Sequence, residues 1–99
     1  MSKSEFVAKA NEKQAWLPGK RVKFDFGSEG TVLLDGIAGQ ATEEDGPADT
    51  TLKVSMDDFV AMGEGRLDGM TAFMTGKLKV EGDMSNAMQL QGVLAKLKG

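Results

Sequence analysis

Met70-Thr-Ala-Phe-Met-Thr-Gly-Lys-Leu-Lys-Val-Glu-Gly-Asp-Met84 changes its period half-way along. In the first part Met70, Phe73 and Met74 recur at the spacing of one helix face, and Gly76 supplies a stop. In the second part Lys77-Leu-Lys-Val-Glu81 alternates, so that Leu78 and Val80 turn to an interior while Lys77, Lys79 and Glu81 turn to water. Asp83 or Ser85 then opens another helix. A short amphipathic helix thus runs into a half-wet strand, which runs into a helix.

The segments on either side obey the same grammar. Arg21 to Phe26 alternates with Val22, Phe24 and Phe26 inward, Gly27 to Gly30 is turn chemistry, and Thr31 to Asp35 reads as the return strand of a hairpin. A short strand is expected at Ile37 to Thr42, then a solvated loop from Glu43 to Asp49. Thr50 to Met56 alternates again, with Leu52, Val54 and Met56 inward. Ser55 and Asp58 have capping-box spacing ahead of Phe59, Val60 and Met62, and Asp68 is placed to cap the helix that carries Met70. Near the N-terminus, Phe6, Val7, Ala10 and Leu17 predict a short amphipathic helix within Ser4 to Leu17, closed by Pro18-Gly19. Strands with one wet face make a mainly antiparallel sheet with helices packed on one side, an α+β architecture. The last helix carries a wide apolar arc, with Met84, Met88 and Ala95 on one edge, Leu90, Val93 and Leu97 on the other, and Ala87 and Leu94 between. One packed neighbour is too few to cover it.

At 99 residues the chain is read as one domain, residues 1–99, with a short N-terminal helix over 1–18 and the sheet and helices over 19–99. No apolar run approaches the roughly 18 residues of a membrane span, and the N-terminal stretch is too charged for the apolar core of a signal peptide. There is no cysteine, which fits a reducing compartment, and a cytoplasmic location is expected. The net charge of −3 argues against nucleic acid. Yet Lys3, Lys9, Lys13, Lys20 and Arg21 give the first 21 residues a charge of +3, so the N-terminal helix is a candidate for transient contact with an anionic membrane.

Catalytic chemistry finds few tools here. Histidine, cysteine and tyrosine are all missing, which removes the usual general bases and the strongest nucleophile, so no enzyme and no cofactor is expected. Glu43-Glu44-Asp45 lacks the alternating ligand spacing of a calcium loop, and Asp57 and Asp58 are explained by helix-terminus charge, so no metal is expected. Gly63-Glu-Gly65-Arg-Leu-Asp-Gly69 misses the spacing of a dinucleotide-binding loop and follows a helix instead of a strand. Methionine is the unusual feature. Six of the seven, Met56, Met62, Met70, Met74, Met84 and Met88, fall within 33 residues. An unbranched, polarizable side chain suits a lining that moulds itself around apolar guests, and it equally suits a small core that uses Met in place of Leu.

Asp49-x-Thr51 entering a strand, the quoted stretch from Met70 to Met84, and Ala87-Met88-x-Leu90-Gln91 together resemble the sterol carrier protein-2 family. The likeness is dense over residues 48–97 and looser, though colinear, over residues 18–47. It implies a five-stranded, mainly antiparallel mixed sheet with helices over one face. It also implies an apolar tunnel between them that takes fatty acid, acyl-CoA, phospholipid or sterol without chemistry. Carried over by position, Phe73, Met74, Leu78, Val80, Met84, Met88 and Leu94 line that tunnel, with Phe59, Met62 and Met70 next, and Gln91 is placed to meet a ligand head group. Ala95-Lys-Leu97 has the letters of the family's peroxisomal address but is followed by Lys98-Gly99, so peroxisomal import is not expected. The alternative is an accessory or dimerising module that uses the same apolar groove to hold a partner protein.

Overall fold

The computed structural model describes residues 2–94 and Leu97. Ala95, expected on the arc of the last helix, and the Lys98-Gly99 that follows Leu97 lie outside the described residues. Helix α1 spans Lys3–Lys13, followed by strands β1 (Arg21–Asp25), β2 (Thr31–Asp35), β3 (Gln40–Thr42) and β4 (Thr50–Val54). Helices α2 (Met56–Gly63) and α3 (Gly69–Met74), strand β5 (Leu78–Gly82) and helix α4 (Met84–Leu94) complete the chain order. The five strands form one sheet in the order β3-β2-β1-β4-β5. β1 and β4 run parallel at its centre, and every other neighbouring pair is antiparallel.

Alternation along each strand decides which face is covered. The registers Phe24 opposite Val32 and Leu52, Val22 opposite Leu34, and Leu52 opposite Val80 put the apolar residues on one side of the sheet. There they meet Phe6 and Ala10 of α1, Phe59 of α2 and Leu90 of α4 in a single buried core. Phe6, Phe24, Phe26 and Phe59 form its centre, with ring centroids 4.7 to 6.4 Å apart and mostly edge-to-face or tilted, the arrangement that ring quadrupoles favour. The opposite face carries Arg21, Lys23, Lys53, Lys79 and Glu81 and is held by ion pairs such as Arg21 to Asp35 at 3.4 Å and Lys53 to Glu81 at 3.3 Å.

Four local expectations are corrected. The first helix ends at Lys13, not Leu17, because Gln14 adopts a left-handed conformation (φ 53°) and the Ala15 amide then donates back to the Ala10 carbonyl at 2.9 Å. Ala15 and Leu17 remain buried without being helical. Phe26 leaves β1 to close the hairpin, its amide donating to the Gly30 carbonyl at 2.8 Å, and stays in the core. Ile37 lies outside β3 and is exposed, because the Asp35 carboxylate accepts the Ile37 and Ala38 amides at 2.9 and 2.8 Å and turns the chain there. Met56 opens α2 instead of ending β4, since Ser55 caps the helix by accepting the Asp58 amide at 3.0 Å. Gly36 locks the lower end of this half: a Cβ there would run into the Leu17 carbonyl, which packs directly over the turn.

Candidate functional site

All eleven residues singled out for ligand contact fall on α2, α3, β5 and α4; α3 packs on β5 and α4 on β4 and β5, while Phe59 of α2 packs on Phe24 and Phe26. Each helix start is fixed by a side chain the sequence offers for it. Asp68 accepts the Thr71 amide at 3.1 Å and starts α3. Asp83 accepts both the amide and the hydroxyl of Ser85, at 2.9 and 2.8 Å, at the start of α4. Those bonds, the Ser85 hydroxyl first, hold the Asp83 carboxyl below its ordinary acidity constant. The Asn86 amide donates to the Thr50 hydroxyl at 3.1 Å, which itself donates to the Asp83 carbonyl at 2.8 Å, tying the first turn of α4 to β4.

This anchoring decides which side of α4 is free. Asn86 and Leu90, four residues apart, point into the protein and are buried. Met84 and Met88, also four apart, point out and are 43% and 68% exposed. Helix α3 behaves alike. Ala72 is buried, while Met70, Phe73 and Met74 are 63%, 43% and 77% exposed. These five account for all but one of the large exposed apolar side chains among the described residues, the other being Ile37. Leu78 and Val80 stand opposite Val54 and Leu52 on the helix-facing side of β5, half-buried, and Met62 and Leu94 pack against the core at similar depth. Phe59 is a core residue of the aromatic cluster. Gln91 is exposed, and its side-chain nitrogen would lie 3.1 Å from a Cβ at Gly69, so the missing side chain there lets α3 and α4 approach.

The eleven therefore separate into a buried or half-buried set (Phe59, Met62, Leu78, Val80, Leu94) and an outward set (Met70, Phe73, Met74, Met84, Met88, Gln91). The outward residues lie on α3 and α4, which pack against β5 at the edge of the sheet, where no further strand adjoins among the described residues. A surface concavity of about 340 Å³ lies elsewhere, lined by Asp25, Phe26, Gly27, Lys53, Val54, Ser55, Gly76, Lys77 and Lys79. None of the eleven lines it. Among the described residues no group of three acidic, histidine or cysteine side chains is placed to hold a metal ion, and no helix is long and apolar enough to cross a membrane.

The profile of the SCP-2 sterol transfer family matches residues 5–95. The chain belongs to this family. Sterol carrier protein 2 of Gallus gallus is 37% identical over 70 residues, covering 68% of this chain and 13% of the relative. Hydroxysteroid dehydrogenase-like protein 2 of Danio rerio is 40% identical over 82 residues, covering 77% of this chain and 20% of the relative. The chain thus spans between about an eighth and a fifth of these curated relatives. Among solved structures, apo sterol carrier protein 2 from Yarrowia lipolytica superposes with a TM-score of 0.68 at 25% identity, over 96% of this chain and 80% of the other. Sterol carrier protein-2 from Aedes aegypti, solved with the C16 fatty acid palmitate, gives a TM-score of 0.79 at 23% identity over 99% and 98%. The five-stranded mixed sheet with helices over one face is the family's fold, as the resemblance in the sequence implied.

Proposed function

We propose that this chain binds an apolar, lipid-like ligand between β5 and the helices α3 and α4, and carries it without chemistry. The observation that supports this most directly is the pairing of outward Met70, Phe73, Met74, Met84 and Met88 with half-buried Leu78 and Val80 on one side of the fold. An exposed apolar surface is costly in water and marks a place where something apolar belongs. In this reading α3 and α4 close over a ligand laid along β5, so that the open surface becomes the wall of a tunnel. Gln91, beside Gly69 at the meeting of the two helices, is then the polar side chain nearest the mouth.

The family relation supports the same reading, since the fatty-acid complex from Aedes aegypti shares this fold along its full length. Candidate ligands are fatty acid, acyl-CoA, phospholipid and sterol. Burying a methylene yields about 0.8 kcal/mol, so a C16 chain offers roughly 12 kcal/mol gross, much of it offset by lost motion, and micromolar or tighter binding is the expected range. A chain with no histidine, cysteine or tyrosine is suited to holding a ligand more than to transforming it. One continuous core and the lack of cysteine support reading residues 1–99 as one unit working in a reducing compartment such as the cytoplasm.

Native mass spectrometry of the purified chain, before and after incubation with palmitate, palmitoyl-CoA, phosphatidylcholine and cholesterol, tests the proposal. A stoichiometric adduct with any of them is expected. Failure of all four at saturation would turn the reading to an accessory module that holds a partner protein in the same groove.

A further inference from the structure

The two edges of the sheet differ. β3 offers only the uncharged Gln40-Ala41-Thr42, whereas β5 runs from Leu78 to Gly82 with Lys79 and Glu81 exposed on the polar face and Leu78 and Val80 half-buried on the other. Its bonding to β4 fixes which way its backbone faces. The Asp83 amide donates to the Asp49 carbonyl at 3.2 Å, just beyond the facing residues Thr50 and Gly82, which marks that pair as one that exchanges no bonds of its own. By alternation Lys79 and Glu81 turn their N–H and C=O groups toward Lys53 and Thr51, while Leu78, Val80 and Gly82 turn theirs to the open edge, a template for a further strand. Charge decides which strand fits. Lys79 stands directly opposite Lys53, like charges that cost stability, and has no ion-pair partner among the described residues. A carboxylate arriving on the open side of Lys79 relieves this, and β5 carries one itself, two residues on.

We infer that β5 pairs antiparallel with β5 of a second copy of this chain, about a two-fold axis at Val80, joining the two sheets into one. In that register Val80 faces Val80, Leu78 faces Gly82, and Lys79 of each copy faces Glu81 of the other. The axis falls on a residue whose backbone points outward, so the two Val80 residues exchange both bonds, and the Lys79–Glu81 pairs take the positions between bonds, where facing side chains lie closest. Glu81, 3.3 Å from Lys53 in its own chain, then stands between two lysines. Moving the axis one residue, to Lys79 or to Glu81, sets like charges face to face, so charge selects the register. Self-complementarity of this kind is what a two-fold contact demands, and it singles out a second copy as the occupant of the edge. The axis is perpendicular to the sheet, so both polar faces lie on one side and both helix layers on the other, with α3 and α4 of the two copies brought side by side. One strand pair with exposed ion pairs is a small contact, and the dimer is expected to be concentration-dependent. The inference rests on the β5 backbone and on Lys79 and Glu81, neither of which is proposed to hold ligand, so it stands or falls apart from the carrier reading.

Sedimentation equilibrium of the full chain at low salt, from micromolar to millimolar concentration, tests this and is expected to show a monomer–dimer equilibrium. Lys79→Glu alone and Glu81→Lys alone are each expected to weaken self-association about tenfold, because each sets like charges opposite one another at two places. Mixed in equal amounts, these two variants are expected to associate with each other at close to wild-type strength, since every facing pair is then opposite in charge. A chain carrying both Lys79→Glu and Glu81→Lys is expected to recover self-association. Variants that bind each other but not themselves are folded, so the result does not hinge on a stability control. Hydrogen exchange supplies the backbone readout: the Val80 amide, free in the monomer, is expected to slow as concentration rises, while the Lys79 and Glu81 amides, bonded to β4, are protected throughout. A chain that stays monomeric at every concentration overturns the inference, as does a dimer indifferent to both charge reversals. A dimer whose Val80 amide still exchanges freely also overturns it, and assigns the contact to another face, such as the exposed methionines of α3 and α4.

Discussion

A polar amide among apolar side chains persists only with partners, and Asn86 has them in the Thr50 hydroxyl and, beyond it, the Asp83 carbonyl. Nothing in the apolar arc of α4 announces this residue, because periodicity counts hydrophobic positions and Asn86 is a polar residue sharing the inward side with Leu90. Asn86→Ala leaves the buried Thr50 hydroxyl short of a donor and is expected to cost about 1–3 kcal/mol, read from urea unfolding. If the pair acts as a unit, the further loss on adding Thr50→Val is smaller than the loss from Thr50→Val alone. Asp35 offers a second residue-level test. The Ala38 amide above all, then the Ile37 amide and Arg21, hold its carboxyl below the ordinary value, with partial burial opposing them. A carboxyl lowered by folding contributes stability that is present above its unfolded value of about 3.9 and is lost as pH falls through the folded one. Asp35→Asn, which keeps the acceptor oxygen for the turn, is therefore expected to show a shallower fall in stability below about pH 4 than the wild type, followed by urea midpoints across that range.

At the scale of elements, strand faces were legible because alternation has only two outcomes, and the pairings across β1, β2, β4 and β5 keep the apolar residues on one side as that alternation requires. Helix starts were legible at Ser55, Asp68 and Asp83 because a cap needs one side chain at one position. Helix ends and turns were less so: the stop at Gln14 depends on a left-handed residue that is not glycine, and the exposure of Ile37 on a turn built by a neighbouring carboxylate. The candidate site was legible as a set of residues but not as an enclosure, since a helical face specifies what is apolar and not what will cover it. Lys77 and Lys79 stood in plain view as the wet half of β5, yet their gathering with Lys53 depends on strand order, which local pattern leaves open. The division within α4 yields a prediction that separates lining from core. Met74→Ser with Met88→Ser is expected to leave urea stability within about 1 kcal/mol while weakening palmitate binding about tenfold or more, because both residues face outward. Leu90→Ala, on the inward side of the same helix, is expected to cost about 2–5 kcal/mol. Chemical unfolding and palmitate titration of both variants provide the check.

For the molecule as a whole, a ligand that binds only the folded chain stabilises it by mass action. At ten times Kd the gain is about 1.4 kcal/mol, so saturating palmitate is expected to raise Tm by several degrees in differential scanning calorimetry, with no shift for a soluble anion such as acetate. The parallel β1–β4 pairing has an effect of another kind. Everything before the exposed Glu43 to Asp49 loop builds β3-β2-β1 with α1, and everything after it builds β4-β5 with α2, α3 and α4. One ladder from Val22 opposite Thr50 to Asp25 opposite Lys53, the Asp49 amide on the Arg21 carbonyl at 2.9 Å, and Phe59 set among Phe6, Phe24 and Phe26 carry the junction. A break between Pro47 and Ala48 leaves every strand pair whole, so fragments 1–47 and 48–99 are expected to find each other on mixing and to copurify as a one-to-one heterodimer. Because the proposed lipid site lies wholly on the second fragment and its supporting aromatic cluster largely on the first, reassembly of the cut chain becomes a sensor whose signal rises with lipid.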